Sequence, residues 1–387
     1  MNIVEIFPNF HKIHINKDPG QIPIWLKKYG HNVTLVTNKT HHNIYLKEFH
    51  GVKVINLQRI EIFSISFSLL YYLLRNTKQI NCLLLYHLTV NSAIFSLIYL
   101  IFARRGVVIL KLDTDGRVWE CSVPFFFKIY RYFLGETKIV PYIISKTADL
   151  LIIESPDARK RILKKYPFFE KKIIVLPNGI NKEILTEYKK EIPEISKSKI
   201  ILFVGQIIYR KGVDILIRAF SQLKDLYPEW RLEFVGRFVE LKYKKELDDL
   251  VVSLNLQNRV IFSGHLEGQD LIKKYLESEI FCFPSRHESF GLVLLEAMYL
   301  GLPIISSNTG CAEYLLDYGK CGLIFEIENI DKLKLRLKDL IENDAFRKEL
   351  GNRTKTRCLT MFTWNNIVYE LNKVITDILE KKVNITS

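Results

Sequence analysis

The chain has 387 residues, 48% hydrophobic and 25% charged, a balance that supplies packed cores and excludes an intrinsically disordered chain. Its length exceeds what one core ordinarily holds, so two domains are expected. The formal net charge of +14 calls for an anionic partner. The lysines are scattered, however, as in Lys27-Lys28, Lys164-Lys165, Lys171-Lys172 and Lys244-Lys245, with no compact basic block, zinc-finger spacing or RNA-binding aromatic signature. That argues against nucleic acid and favours a phosphorylated ligand or an anionic membrane face, simple solubility being the alternative.

Met1-Asn-Ile-Val-Glu-Ile-Phe-Pro8 lacks the basic start and long apolar run of a signal peptide and reads as a first strand, Ile3 to Phe7. Further strand candidates are Asn32 to Thr37, Val52 to Leu57, Asn81 to Tyr86, Val107 to Leu112, Leu150 to Glu154 and Lys172 to Leu176, with helical patterns between them. Leu83 to Phe102 contains no Lys, Arg, Asp or Glu and has the length of about 20 residues that a membrane helix needs. A strand ending at Tyr86, a turn marked by His87, Thr89, Asn91 and Ser92, and a helix account for it without lipid. Phe63 to Leu74 and Val123 to Phe133 are apolar and aromatic, with Arg75, Lys78, Arg104, Arg105, Lys128 and Arg131 at their margins. They fit a first half resting on an anionic membrane, a deeper ordinary core being the alternative.

Cys82, Cys121, Cys282, Cys311, Cys321 and Cys358 are far apart and form no CxxC, so they read as reduced and mostly structural, in a cytoplasmic setting. After Pro177-Asn-Gly-Ile180 the polar stretch Asn181 to Ser198 reads as a linker. The rhythm then restarts: strands Ile200 to Val204, Arg231 to Val235, Val260 to Ser263, Ile280 to Phe283 and Pro303 to Ser306, separated by helices Val213 to Leu226, Leu241 to Leu254, Gln269 to Glu277 and Gly291 to Leu300. A last helix, Trp364 to Lys381, is placed to reach back over the first domain. The reading is α/β: two Rossmann-like domains facing across a cleft, 1–180 and 181–363, followed by the 364–387 helix. Ligands of such sheets gather at strand carboxyl ends, here Gly205, Pro284 to Glu288 and the loops after Phe7 and Leu112.

Glu288-Ser-Phe-Gly-Leu-Val-Leu-Leu-Glu296 is the densest motif. Its carboxylates straddle a glycine-bearing turn into an apolar helix whose first amides, at Phe290, Gly291 and Leu292, suit a diphosphate with the helix dipole behind them. Glu296, about one and a half turns further in, is within reach of ribose hydroxyls. Two solvated acids on a capped helix are the alternative.

Phe203-Val-Gly205, Arg210-Lys-Gly-Val-Asp214-Ile-Leu-Ile-Arg-Ala-Phe220, Phe262-Ser-Gly264, Pro284-Ser285 with the Glu288/Glu296 pair, Gly301-Leu-Pro303 and Gly310-Cys-Ala-Glu313 together resemble retaining GT-B glycosyltransferases of family 4, over roughly residues 172 to 365. Pro177-Asn178-Gly179 is similar to the interdomain signature, and Gly20, Trp25-Leu26 and Gly30-His31-Asn-Val33 to the first loop and helix. Pro19-Gly20 stands where the family has Gly-Gly, and Asp113-Thr-Asp115-Gly116 where many members carry a histidine.

The resemblance implies transfer from a UDP- or GDP-sugar to a lipid-linked or glycan acceptor without a bound metal. Lys211 would stabilise the leaving diphosphate, a solvated helix-start lysine being the alternative. The family's arginine after the strand-end glycine is Gln206 here, and Arg210 is the candidate to replace it. Glu288 would hold the donor sugar and Glu296 the ribose. Gly20, Gly205, Gln206, Arg210, Lys211, Ser289, Phe290, Gly291, Leu292 and Glu296 form the expected donor site. Asp113 and Asp115 would orient the acceptor, a capped turn being the alternative. His11, His14 and His287 are further candidates, and His265 is read as structural. A soluble-acceptor synthase and a catalytically silent GT-B subunit remain the other readings.

Overall fold

A computed structural model describes residues 1–39, 46–62, 65–103, 106–113 and 139–386. The chain divides into two compact units, Met1–Gly179 with Trp364–Ser387, and Ile180–Thr363.

In the first unit the strands are β1 (Asn2–Ile6), β2 (Asn32–Asn38), β3 (Glu48–Phe49), β4 (Val52–Leu57), a separate hairpin β5 (Glu61–Ile62) and β6 (Ile65–Ser66), β7 (Cys82–Tyr86), β8 (Val107–Leu112), β9 (Leu150–Ile153) and β10 (Ile173–Val175). The main sheet runs β10-β9-β8-β7-β1-β2-β4-β3, parallel except for β3 against β4. Both faces are covered, which is why β7 and β9 read as unbroken apolar runs. With a side-chain period of two, Val4, Ile6, Leu83, Leu85, Val108 and Leu110 pack against Leu69, Leu73, Phe95 and Tyr99. On the other face Ile3, Leu35, Cys82, Leu84 and Ile109 meet Ile22 and Leu26, together with Trp364, Val368, Leu371 and Ile375 of the Trp364–Thr386 helix.

The uncharged run from Leu83 resolves into β7 and the Val90–Phe102 helix, capped by Thr89 Oγ1, which accepts from the Ser92 amide at 3.1 Å. Among the described residues no helix is long and apolar enough to cross a membrane. Asp115, Cys121, Arg104, Arg105, the Val123 to Phe133 stretch, Lys128 and Arg131 lie outside the described residues.

The second unit has β11 (Ser198–Val204), β12 (Arg231–Val235), β13 (Val260–Gly264), β14 (Ser278–Phe283), β15 (Ile304–Ser307) and β16 (Leu323–Phe325), all parallel in the order β13-β12-β11-β14-β15-β16. The winding of the sheet reverses between β11 and β14, strands before this point being added on one side and strands after it on the other, and a doubly wound sheet opens its ligand crevice at that switch.

Two expectations are corrected. Asn181 to Ser198 is not a bare linker: Asn181 Oδ1 caps a Lys182–Lys190 helix through the Ile184 amide, Leu185 and Tyr188 pack on Ile272 and Tyr275, and Ser198 already begins β11. The Val213 helix stops at Ser221, after which Leu223 and Leu226 close short turns through the carbonyls of Phe220 and Leu223. The short strands β3, β5, β6 and β16 carried too little periodicity to be expected.

Candidate active site

The loops after β11 and β14, the strands at the switch point, meet through their backbones. Tyr209–Lys211 is a single 3₁₀ turn, and Gly212 follows it at φ 67°, in the left-handed region. A Cβ on Gly212 would stand 2.0 Å from the Pro284 carbonyl oxygen, so this contact requires glycine. The Arg286 amide donates to the Arg210 carbonyl at 2.8 Å, and Arg210 Nη1 returns a bond to the His287 carbonyl at 3.1 Å.

That junction brings Lys211 and Glu288 together although 77 positions separate them. Lys211 Nζ donates to Glu288 Oε2, and each residue is only 8% exposed. Glu288 Oε1 accepts from the Ser289 amide at 3.1 Å, and Arg210 Nη1 stands 3.9 Å from Oε2 with its side chain 44% exposed. Burial lowers the Lys211 pKa, opposed by the attraction of Glu288. Lys211 is therefore neither solvated nor the opening residue of a helix, because left-handed Gly212 intervenes before Val213. Gln206 is exposed, and its neighbour Ile207 bonds to the Arg237 carbonyl.

Gly291 is the N-cap of the Leu292–Tyr299 helix. Among the described residues the amides of Phe290, Gly291 and Leu292 meet no backbone or side-chain acceptor. The turn is held from behind: a Cβ on Gly310 would stand 2.3 Å from the Glu288 carbonyl, and Cys311 Sγ lies 3.2 Å from that of Ser289. Glu296 is half-buried and accepts from the Tyr275 hydroxyl at 2.8 Å through Oε2; burial raises the pKa of both groups. Four charged or donor features thus lie on the segments that follow β11 and β14 of a single sheet: Lys211, Arg210, the helix-start amides and Glu288.

In the first unit Gly20 is the third residue of the Asp18–Lys28 helix. Its amide already bonds the Lys17 carbonyl at 3.0 Å, and a Cβ there would meet Ile15 Cα at 2.3 Å, so Gly20 serves close packing and presents no free N–H. Asp113 is exposed at the end of β8. His14 Nδ1 accepts from the His11 amide at 2.8 Å, and His265 pairs with Glu267 at the surface.

The first unit also holds a buried polar cluster that sequence reasoning missed. Lys111 Nζ is 2.9 Å from Asp18 Oδ2, 2.9 Å from Asn178 Oδ1 and 3.4 Å from Glu154 Oε1. Glu5, on central β1, is 0% exposed with neither oxygen in good hydrogen-bond geometry, and burial holds its carboxyl well above the usual range. A charged residue inside a strand gives no signal of this; only the strand's place in the sheet does. Arg286, in the loop after β14, and Tyr275, in the Gly268–Glu277 helix, were missed because their partners Asp214 and Glu296 lie 72 and 21 positions away in the chain. Among the described residues no group of three or more His, Cys, Asp or Glu side chains could hold a metal ion.

Two parallel, Rossmann-like sheets of this kind define the GT-B fold. Structurally the chain is similar to HepE from Anabaena, solved in complex with UDP and glucose, with a TM-score of 0.72 and 18% identity over 97% of this chain and 100% of that one. Residues 186–357, nearly all of the second unit, match the family described as glycosyl transferases group 1. An uncharacterized glycosyltransferase of Methanocaldococcus jannaschii is 27% identical over 238 residues, 59% of this chain and 60% of the relative. The N-acetylgalactosamine-N,N'-diacetylbacillosaminyl-diphospho-undecaprenol 4-alpha-N-acetylgalactosaminyltransferase of Campylobacter jejuni is 28% identical over 242 residues, 62% of this chain and 63% of the relative. The matched stretch thus spans less than two thirds of either relative.

Proposed function

We propose that the chain is a retaining glycosyltransferase of family 4 that moves a sugar from a nucleoside-diphosphate sugar to a lipid-linked or polysaccharide acceptor. The observation that carries this reading is the buried Lys211–Glu288 pair at the mouth of a helix whose first amides are free, at the switch point of a doubly wound sheet. The diphosphate sits on the Phe290 to Leu292 amides and takes Lys211, with Arg210 beside it in place of the arginine lost at Gln206. Glu288, released from Lys211, holds the donor-sugar hydroxyls, and Glu296 reaches the ribose with the oxygen Tyr275 leaves open. Gly205 and Ser289 border the same cradle.

The bond from the anomeric carbon to the β-phosphate oxygen breaks while the acceptor oxygen bonds to the same face of that carbon. The acceptor's proton passes to the leaving phosphate oxygen, so the nucleoside diphosphate departs with the charge that Lys211, Arg210 and the helix dipole have stabilised. No protein base is required and no metal is assigned a role. The HepE complex with UDP and glucose favours a UDP-sugar over a GDP-sugar.

A lipid-linked acceptor is favoured by the diphospho-undecaprenol in the name of the Campylobacter relative. A second support is the exposed face of the first unit: Leu97, Leu100, Ile101 and Phe102 on one helix, Phe67, Tyr71 and Leu74 on its neighbour, and Arg75 and Lys78 nearby. On this reading the protein rests peripherally on an anionic membrane face, Asp113 orienting the acceptor.

The test is calorimetric titration of the purified chain with UDP and with GDP, with and without magnesium, followed by NMR of the anomeric centre in the product. Micromolar binding of one nucleotide and a product of unchanged anomeric configuration are expected. Absence of binding to both would favour the silent-subunit reading, and an inverted product would overturn retention.

A further inference from the structure

We infer that Arg286 is a positioning residue of the donor site: its guanidinium sets the register between the turn that carries Arg210 and Lys211 and the loop that carries Glu288. The inference rests on the donor-site reading above.

A guanidinium has five N–H donors in a fixed planar fork. Here Nη1 donates to Asp214 Oδ1 and to the Tyr209 carbonyl, each at 2.7 Å, and Nη2 donates to Asp214 Oδ2 at 2.7 Å and to Glu328 Oε2 at 3.3 Å. Nε donates to Glu328 Oε1. All five donors are used within the protein, so none is left for a ligand, and Arg286 cannot be a further phosphate cation without dismantling this set.

The partners explain what it does instead. Tyr209 and Asp214 lie on either side of Lys211 in the chain, and Arg286 itself is two residues before Glu288. The guanidinium also stacks on the Tyr209 ring, 3.9 Å from its centroid. Asp214 is held in turn by the Tyr243 hydroxyl at 2.7 Å, and the bonds from Arg286 and Tyr243 keep its carboxyl ionised against the effect of burial. One planar group therefore grips both ends of the segment bearing the two cations while its own backbone bonds Arg210 between them. Lysine cannot reproduce this, having one ammonium and no fork.

The experiment is a double-mutant cycle on nucleotide affinity, measured calorimetrically on the full chain with UDP and GDP. Arg286→Met is expected to weaken binding of the preferred nucleotide by about tenfold or more, and Arg286→Lys is expected not to restore it. The decisive arm is Arg286→Met in a Lys211→Ala background. If Arg286 acts through the placement of Lys211, it costs less than about twofold there, a coupling that general loosening of the fold would not produce. Asp214→Asn, measured in the same two backgrounds, carries the test should Arg286→Met fail to fold. Wild-type affinity in Arg286→Met, or losses that add in full, would overturn the inference while leaving the donor site standing. Failure of the wild-type chain to bind either nucleotide would overturn the donor reading and this inference with it.

Discussion

Lys211→Ala tests the centre of the site. The substitution removes the ammonium that touches Glu288 Oε2 and leaves that carboxylate, 8% exposed, with the Ser289 amide at 3.1 Å and Arg210 at 3.9 Å. Deleting one partner of a buried ion pair costs about 3–5 kcal/mol because the other charge stays behind. The two remaining contacts place this case at the low end, about 3 kcal/mol. Glu288→Gln added to Lys211→Ala removes the stranded charge, so the double variant is expected to recover roughly half, about 1.5 kcal/mol. For a domain of this size, scanning calorimetry should read the single variant about 6–12 °C below wild type and the double about 3–6 °C below. UDP affinity should follow the same order for a different reason. The single variant loses a charge-assisted contact of about 1.5–3 kcal/mol, roughly 10- to 150-fold, and also leaves a carboxylate facing the diphosphate. Glutamine does not repel the phosphate, so the double variant should bind UDP more tightly than the single one. Equal melting points for the two variants, or wild-type UDP affinity in Lys211→Ala, would refute this account of the pair.

Gly212→Ala should destabilise the second unit by about 2 kcal/mol or more, from the left-handed backbone and the Pro284 carbonyl 2.0 Å from the new Cβ, and should weaken UDP binding; a thermal melt within a degree of wild type would contradict it. Burial raises the folded-state pKa of Glu5 above its unfolded value. Between those two values the folded chain binds more protons than the unfolded chain, so this group's contribution to stability falls as pH rises through that window. Glu5→Gln should therefore raise the melting temperature at pH 8, by about 2–4 °C for each ~1 kcal/mol regained, and change little below the ordinary carboxylate range; an unaltered pH profile would count against it. Leu100→Glu with Ile101→Glu, at positions 49% and 62% exposed, should reduce sedimentation with phosphatidylglycerol vesicles without lowering the melting point, and equal sedimentation would remove the membrane face from the proposal.

The chain's own periodicities determined the longer strands of both sheets, and its motifs marked the candidate cradle. Short apolar runs between helical patterns can be buried on two faces only in a parallel sheet, and a glycine-bearing turn before the apolar Leu292–Tyr299 helix leaves amides open whatever surrounds it. Local polarity misled where a helix needs only one apolar stripe: Asn181 to Lys190 looks like linker until Leu185 and Tyr188 find Ile272 and Tyr275. What only tertiary structure decided is which charges are buried and with whom. Glu5 in Asn2–Ile6 and Lys111 in Val107–Leu112 sit in ordinary-looking strands, and their burial follows from the central position of those strands in the sheet. Lys211, Glu288, Asp214 and Arg286 meet because β11 and β14 are neighbours at the point where the sheet reverses its winding. Strand adjacency is a property of the whole sheet, so no local window of sequence contains it.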